Sequence, residues 1–336
     1  MQPNIAYSSN DFLKLCHFNR AYKIGIFLIS LIYSFALVYL IPMDGLIKDR
    51  LNYLNYASNS DIIALSYLSK GLLSFLFNEP VWLVINIVLN QFFSPKHVVS
   101  IIVFFSAFIS AYLILKTNPK YFIFLLFILL FPQVIIKYII HLRQGLAISI
   151  FLLGWFTHSK PFRLILLGLT PFIHSSFFFV LLLLAYVFVL KRMKFAYDLR
   201  NIAILILGLA IGLSLGLLAN LLGARQANEY QFSTTDVSGL GFIFWLCVFI
   251  LYSLQGRNFV NKHTFAISNI VFYLTTYFFI EITGRIFESS IIIVLLASLD
   301  LTAWRRKVFF ATITLFVLLS WLLRLNQPWF GWGTGL

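Results

Sequence analysis

Charged residues are scarce in this chain. Asp, Glu, Lys and Arg make up only 11% of its 336 residues, whereas hydrophobic residues make up 61%. A soluble domain carries about 25% charged residues, so this chain cannot cover itself with a surface that water wets. Its mean hydropathy of +0.92 agrees with that conclusion. The composition therefore excludes an ordinary soluble protein and indicates a polytopic membrane protein.

The chain has only two cysteines, and acidic pairs of the metal-binding type are missing. The two cysteines are Cys16, before the first apolar run, and Cys247, inside a later one, so we expect no structural disulfide. No Cys/His cluster has the spacing of a zinc site, and no acidic pair resembles one that holds Mg²⁺ with a nucleotide sugar. Glycine motifs for phosphates and dinucleotides, the zinc-protease helix and the GxSxG elbow are absent too. The sequence thus predicts no metal and no cofactor, and it does not support nucleotide-driven transport.

About a dozen apolar runs fill the chain, and runs such as 98–115 and 201–222 are continuously apolar over the length of a membrane-spanning helix. We predict an all-α transmembrane bundle of about 11 spans that forms one domain over residues 1–336. Because proline ends helices, the stretch 61–93, broken by Asn78-Glu79-Pro80, is expected to be a re-entrant or short helical hairpin. The predicted helices are 24–41, 98–115, 121–138, 144–157, 162–173, 176–190, 201–222, 240–254, 264–280, 286–301 and 308–323.

The net charge of +14 comes from 25 basic and 11 acidic residues. Basic residues cluster between the predicted spans, as the positive-inside rule requires of cytoplasmic loops, so they need no nucleic acid or other ligand. Counting spans between these clusters places the polar segments around Arg143, His174, 225–236 and 281–285 on the opposite side. The residues that define the cytoplasmic side include Lys191, Arg192, Lys194, Arg257, Lys262, Arg305, Arg306 and Lys307.

Arg143 lies at the mouth of a predicted span. An ionisable group in that position suggests function, because a charge in hydrocarbon costs at least about 2.5 kcal/mol. Arg143 and Gln144 begin a predicted helix, where backbone N–H groups and the helix dipole favour an anion. Arginine also binds phosphate through two parallel hydrogen bonds, in a bidentate geometry. The alternative is an arginine that only snorkels to the membrane interface.

His174 lies between two apolar runs and is followed by Ser175. A histidine in that place can act as a general base or as a hydrogen-bond donor near neutral pH. The alternative is a histidine satisfied by a helix carbonyl, with Ser175 as the cap of the next helix. The predicted side that His174 shares with Arg143 favours a functional histidine.

A periplasmic loop is predicted over residues 43–70. It contains Asp49, Arg50 and Tyr53, and a loop on a rigid scaffold commonly carries function. If it folds over a site, it would contribute a carboxylate and a guanidinium. A solvated connector is the alternative.

The second half of the chain adds two polar groups on the same predicted side. A second periplasmic loop, 223–239, contains Arg225 and Tyr230 and is the longest polar stretch of that half. A plain connector is again the alternative. Glu281 and Arg285 are four residues apart, so they could form an ion pair along a helix, and Arg285 could instead be a second arginine of the site.

Taken in order, these segments resemble the EpsG-like branch of the Wzy-type polysaccharide polymerases of bacterial envelopes. The resemblance covers roughly residues 40–300, and Trp82 stands where a glycine-containing Glu-Pro-Gly-Phe type sequence is more usual. The matching pieces are Asp49 to Tyr53 after the first helix, Glu79-Pro80 opening a helix, Arg143-Gln144-Gly145-Leu146-Ala147, His174-Ser175-Ser176, and Arg285 opening a late helix.

The resemblance implies a multi-pass glycosyltransferase of the GT-C-like class in the bacterial inner membrane, with its active face periplasmic. Such a polymerase of O-antigen or exopolysaccharide repeat units transfers an undecaprenyl-diphosphate-linked glycan chain onto an undecaprenyl-diphosphate-linked repeat unit. It needs no metal, because arginines carry the charge of the leaving diphosphate. The implied partners are these lipid-linked oligosaccharides, the lipid bilayer, and a chain-length regulator and a flippase of the same pathway, but no nucleic acid.

The same resemblance suggests roles for the polar residues. Arg143 and Arg285 are expected to bind the diphosphate, with Arg225 or Arg50 assisting. His174 is the first choice for a catalytic contact, with either the acceptor hydroxyl or the diphosphate, and Asp49 and Glu281 are alternative bases. The other expected substrate contacts are Tyr53, Gln144, Ser175 and Tyr230.

Three other functions are weighed against the polymerase. An O-antigen ligase uses the same donor with a lipid A-core acceptor, but it usually has a larger periplasmic loop than 223–239. A flippase for lipid-linked sugars would line a continuous central path with charge, whereas the charges here gather on one predicted face. A membrane acyltransferase would need His174 on the cytoplasmic face.

Overall fold

The computed structural model describes residues 20–221, 239–279 and 283–334. Throughout these residues the regular secondary structure is helical, which confirms the predicted all-α class. Three helices are long and apolar enough to cross a membrane: α1 (Arg20–Tyr39), α5 (Pro95–Lys116) and residues Tyr197–Ser214 of a later helix. A bent helix pair adds a fourth if its two halves form one span. The predicted total of about 11 spans is not confirmed.

The described residues divide into two compact units. The larger unit comprises residues 20–175 and 316–334, and the smaller unit comprises residues within 176–315. After α1, the larger unit contains α2 (Arg50–Ser69), α3 (Leu72–Phe77), α4 (Pro80–Asn90), α5, α6 (Phe122–Leu129), α7 (Pro132–Ile139), α8 (Leu142–Phe156) and α9 (Lys160–Leu169). The remaining helices are α10 (Ser176–Arg192), α11 (Tyr197–Leu221), α12 (Leu240–Leu254), α13 (Arg257–Lys262), α14 (Thr264–Thr276), α15 (Thr283–Glu288), α16 (Ile291–Ala297) and α17 (Ala303–Leu322).

Two of the predicted helices are broken in the structure. The expected helix 121–138 bends by 60° between α6 and α7, because Pro132 lacks the N–H that would continue the ladder and instead begins α7. The expected helix 286–301 is interrupted between α15 and α16 at Ser289 and Ser290. Their hydroxyls bond to Ser176 and Asn269, each at 2.7 Å, so polar side chains stabilise the break.

Helix α2 occupies most of the segment that the sequence predicts as a loop. No helix was predicted for this segment, and its place as a periplasmic loop stays a prediction. Within the larger unit the C-terminal residues fix the approach to this helix. The Lys48 amide donates to the Trp332 carbonyl, and the Thr334 amide donates to the Leu46 carbonyl, both at 2.9 Å.

The core of the larger unit forms around α5. Helix α5 packs against α1, α2 and α8, while α2 also packs on α4 and α8 on α9. Serine and alanine positions of α5 are fully buried at these contacts, and small residues allow helices to approach closely in a membrane. This packing brings α2, the α3–α4 junction and the start of α8 into one region.

Candidate functional site

A buried carboxylate, Glu79, lies at the centre of the polar side chains in the larger unit. It accepts a hydrogen bond from Arg143 Nη1 at 2.5 Å through Oε2. Its other oxygen, Oε1, pairs with His174 Nδ1 at 2.9 Å and accepts from the backbone N–H of Ser175 at 3.1 Å. Only 3% of the Glu79 side chain is exposed, compared with 17% for Arg143 and 16% for His174. We call Glu79, Arg143 and His174 the Glu79 cluster.

The sequence around Glu79 explains why a chain break occurs there. Helix α3 ends at Phe77, and Asn78 bonds back to the Ser74 carbonyl at 2.6 Å. Pro80 begins α4 and disfavours a helical conformation at the preceding residue. Glu79 instead adopts a left-handed conformation, with φ 63° and ψ 53°. That conformation costs a non-glycine residue about 1–2 kcal/mol, so the contacts of its carboxylate must hold it in place.

Arg143 is positioned by the tight junction between α7 and α8. Gly145 lies two residues after Arg143, and a Cβ at Gly145 would overlap the carbonyl oxygen of Lys137. Only glycine lets the two helices approach this closely, because it has no side chain. The glycine of the Arg143-Gln144-Gly145 sequence therefore places the first turn of α8 against α7.

His174 is held in the turn between α9 and α10. A 3₁₀ turn, Thr170–Phe172, contains Pro171, and the amide of His174 donates to the Thr170 carbonyl at 3.0 Å. Helix α10 then begins at Ser176. The turn directs both the His174 ring and the Ser175 amide at the same oxygen of Glu79.

Aromatic residues form one wall of the cluster. The Arg143 guanidinium lies over the Tyr56 ring, 5.2 Å from its centroid, and Arg143 also shares a side-chain hydrogen bond with Tyr53. Both tyrosines pack edge-on against the buried Trp82, with centroid distances of 5.8 and 6.2 Å. A cation over an aromatic face gains about 0.5–2 kcal/mol, so this wall helps to fix the guanidinium.

The electrostatics of the cluster favour a neutral histidine. Burial lowers the pKa of His174 below its ordinary value, the Glu79 carboxylate opposes that shift, and the positive charges of Arg143 and Lys137 add to it. Lys137 is itself buried. Arg143 keeps its positive charge beside the Glu79 carboxylate. Lys137 adds positive potential at His174, so the site suits an incoming anion.

Three further predicted site residues, Asp49, Arg50 and Gln144, lie in the same unit as the cluster. Asp49 is exposed at the start of α2, and its carboxylate lies 3.8 Å from His141 Nδ1. Arg50 is buried and donates to the Ile139 carbonyl at 3.0 Å, and among the described residues its Nε and Nη1 find no acceptor. Gln144 is buried in α8. Their predicted contacts with a substrate stay predictions.

The other predicted residues lie in the smaller unit or outside the described residues. Arg285 lies in α15 of the smaller unit, so a diphosphate shared with Arg143 remains a prediction. Glu281, Arg225 and Tyr230 lie outside the described residues.

Glu79 is the functional candidate that the sequence reasoning missed. In the sequence, Glu79 marks only a helix break and one piece of the family resemblance. Its partners Arg143 and His174 are 64 and 95 residues away. The available signal was a lone carboxylate between two apolar helices, which is costly in a membrane unless it is paired.

Among the described residues, no group of three or more His, Cys, Asp or Glu side chains is arranged to hold a metal ion. No known protein family, curated protein or solved structure matches the chain. The resemblance to the Wzy-type polymerases therefore rests on the sequence segments alone.

Proposed function

We propose that this chain is a repeat-unit polymerase of the bacterial inner membrane. It transfers a glycan chain from undecaprenyl diphosphate onto a second lipid-linked repeat unit at the periplasmic face, without a metal. The observation that carries the proposal is the meeting of Arg143 and His174 on one buried carboxylate. The reaction needs both an anion ligand and a proton acceptor, and these two side chains are the partly exposed members of the cluster.

The proposed reaction assigns one role to each exposed residue. The Nε2 of His174 accepts the proton of the acceptor hydroxyl while that oxygen attacks the anomeric carbon of the donor sugar. The bond between the anomeric carbon and the diphosphate oxygen breaks, and undecaprenyl diphosphate leaves with the electron pair. Arg143 binds the leaving diphosphate and stabilises its growing charge.

The geometry supports this assignment in two ways. The pairing of Arg143 with Glu79 and Tyr56 fixes the guanidinium before substrate arrives, so little side-chain entropy is lost on binding. The lowered pKa of His174 keeps the ring neutral near pH 7, which is the form that accepts a proton. Arg285, Arg225 and Arg50 are proposed as further ligands of the diphosphates, and Asp49 and Glu281 as alternative bases.

The envelope polysaccharide of a strain that lacks this chain tests the function. We expect the ladder of long chains to disappear while a single repeat unit stays attached to lipid, and the intact gene to restore the ladder. Loss of every attached unit would contradict a polymerase and indicate ligation or export, as a ligase or a flippase would produce.

A further inference from the structure

We infer that Glu79 is a positioning residue that fixes which nitrogen of His174 accepts the proton and, through its other oxygen, holds Arg143. The inference rests on the proposed function, because it concerns how that site works. It adds a residue to which the resemblance assigned no role. The argument uses the separate contacts of the two carboxylate oxygens.

Glu79 is held as an ionised acceptor. Oε2 already accepts from Arg143, and Oε1 already accepts from the Ser175 amide. Hydrogen bonds to a charged carboxylate favour its ionised form, and an ionised carboxylate can only accept. The proton between Oε1 and His174 therefore belongs to Nδ1 of the histidine.

The tautomer of His174 follows directly. A neutral ring with its proton on Nδ1 has its lone pair on Nε2. Among the described residues, Nε2 has no hydrogen-bond partner. The nitrogen that remains open is therefore the one that can accept a proton from a substrate hydroxyl.

A glutamine at position 79 has the same shape and cannot make the same contacts. If the glutamine oxygen faces Ser175 and His174, the glutamine NH₂ group faces the Arg143 guanidinium, and two donors then oppose each other. If the side chain is reversed, the glutamine NH₂ group opposes the Ser175 N–H, which is also a donor. The same NH₂ group would donate to Nδ1 of His174, so the ring proton would move to Nε2. In the first orientation Arg143 loses its anchor, and in the second His174 loses its basic nitrogen.

A purely structural role for Glu79 predicts a different residue preference. Asn, Asp and Gly adopt the left-handed conformation more readily than Glu. A residue that only ended α3 would gain from these substitutions. Glutamate has the longer reach that places one carboxylate between α8 and the turn before α10, and this reach is what the positioning role requires.

The test compares Glu79→Gln and Glu79→Asp with the wild type, in proteoliposomes supplied with a lipid-linked repeat unit. Asp300→Asn is the matched control, because it makes the same carboxylate-to-amide change beside a different histidine, the buried His263. We expect Glu79→Gln to slow transfer by about 10²- to 10⁴-fold, the usual contribution of general base catalysis. Glu79→Asp keeps the charge and should recover part of that loss.

The pH profile separates positioning from structural damage. The charged groups that face His174 are Glu79 from the α3–α4 junction, Arg143 from α8 and Lys137 from α7. The Glu79 charge raises the pKa of His174, so its removal should lower that pKa further. The acid limb of the rate should therefore move to lower pH in Glu79→Gln. His174→Asn should lose this limb, which assigns it to His174.

The outcomes distinguish this inference from the function on which it rests. A wild-type rate in Glu79→Gln would overturn the positioning role. So would a slow Glu79→Gln whose acid limb has not moved and that Glu79→Asp does not improve. If Arg143→Ala and His174→Ala both keep the wild-type rate, the proposed function itself fails. Thermal unfolding of each variant in detergent verifies that the rates refer to folded protein.

Discussion

Each of the two units contains a similar polar cluster, but a different member of the cluster is buried in each. In the larger unit Glu79 holds His174 and Arg143. In the smaller unit Asp300 pairs with His263 Nε2 at 2.7 Å and with Lys262 Nζ at 2.8 Å. Each cluster thus consists of one carboxylate, one histidine and one further cation.

Burial distinguishes the two clusters. Glu79 is almost fully covered while His174 and Arg143 are partly exposed. His263 is 0% exposed and Asp300 is 32% exposed. When the carboxylate is buried and its arginine and histidine partners are accessible, those partners can bind an anion or a hydroxyl. When the histidine is buried and the carboxylate is accessible, the pair instead stabilises the packing of helix ends. Changes to the Glu79 cluster should therefore affect transfer, and changes to the Asp300 cluster should affect stability.

Among variants that keep Glu79 and His174, Arg143→Ala should have the largest effect on transfer. Removing a donor that stabilises a developing charge usually costs about 10²- to 10³-fold in rate, and the variant also leaves Glu79 without its cation. Rates of chain extension in proteoliposomes measure the effect. Arg143→Lys keeps the charge but loses the planar fork, so its rate should lie between those of Arg143→Ala and the wild type.

Gly145→Ala should damage the Glu79 cluster without touching its members. The new methyl group would overlap the Lys137 carbonyl and push α8 away from α7, which displaces Arg143. Overpacking typically costs about 1–3 kcal/mol, and transfer should fall with stability. Gly168→Ala in α9 is the matched control, since a Cβ there meets no atom within 4 Å. If Gly145→Ala kept both the stability and the transfer rate of the wild type, the close approach of α8 to α7 would be contradicted.

Asp300→Asn should lower stability and leave transfer unchanged. A buried histidine that loses its charged partner costs about 1–3 kcal/mol. The free energy of unfolding in detergent and the transfer rate are measured on the same preparation. A variant that unfolds like the wild type but transfers slowly would show that the two clusters are not different in kind.

His263 should make stability depend on pH. Burial lowers its pKa despite the opposing Asp300 carboxylate, so the folded chain binds fewer protons than the unfolded chain. Stability is then fully present above the unfolded pKa of about 6.5 and is lost as the pH falls toward the lowered folded value. His263→Gln should lose less stability between pH 7 and pH 5 than the wild type. An equal loss in both would contradict this assignment.

Lys262→Ala should have the smallest effect. Lys262 is exposed, and such surface pairs contribute about 0–1 kcal/mol. Its transfer rate should equal that of the wild type, which makes it the charge-loss control for Arg143→Ala. A loss of transfer in Lys262→Ala would mean that the Asp300 cluster takes part in the reaction.

Hydropathy and loop charge predicted the helical class and a shared side of the membrane for Arg143 and His174, and the structure brings both side chains to Glu79. These signals are local, since apolar runs and basic loops lie in the sequence itself. The breaks at Pro132 and at Ser289 and Ser290 were missed because hydropathy stays high across them, and a continuous apolar run predicts one continuous helix. Glu79 was missed because its role depends on partners far away in the chain, which only tertiary packing brings together.

The most direct test of the central claim compares the two histidines in one experiment. A strain that lacks this chain is complemented with His174→Ala or His263→Ala, and the envelope polysaccharide is separated on a gel at matched protein levels. The account predicts that His263→Ala restores the ladder, whereas His174→Ala leaves a single repeat unit on lipid. A full ladder with His174→Ala would contradict the account.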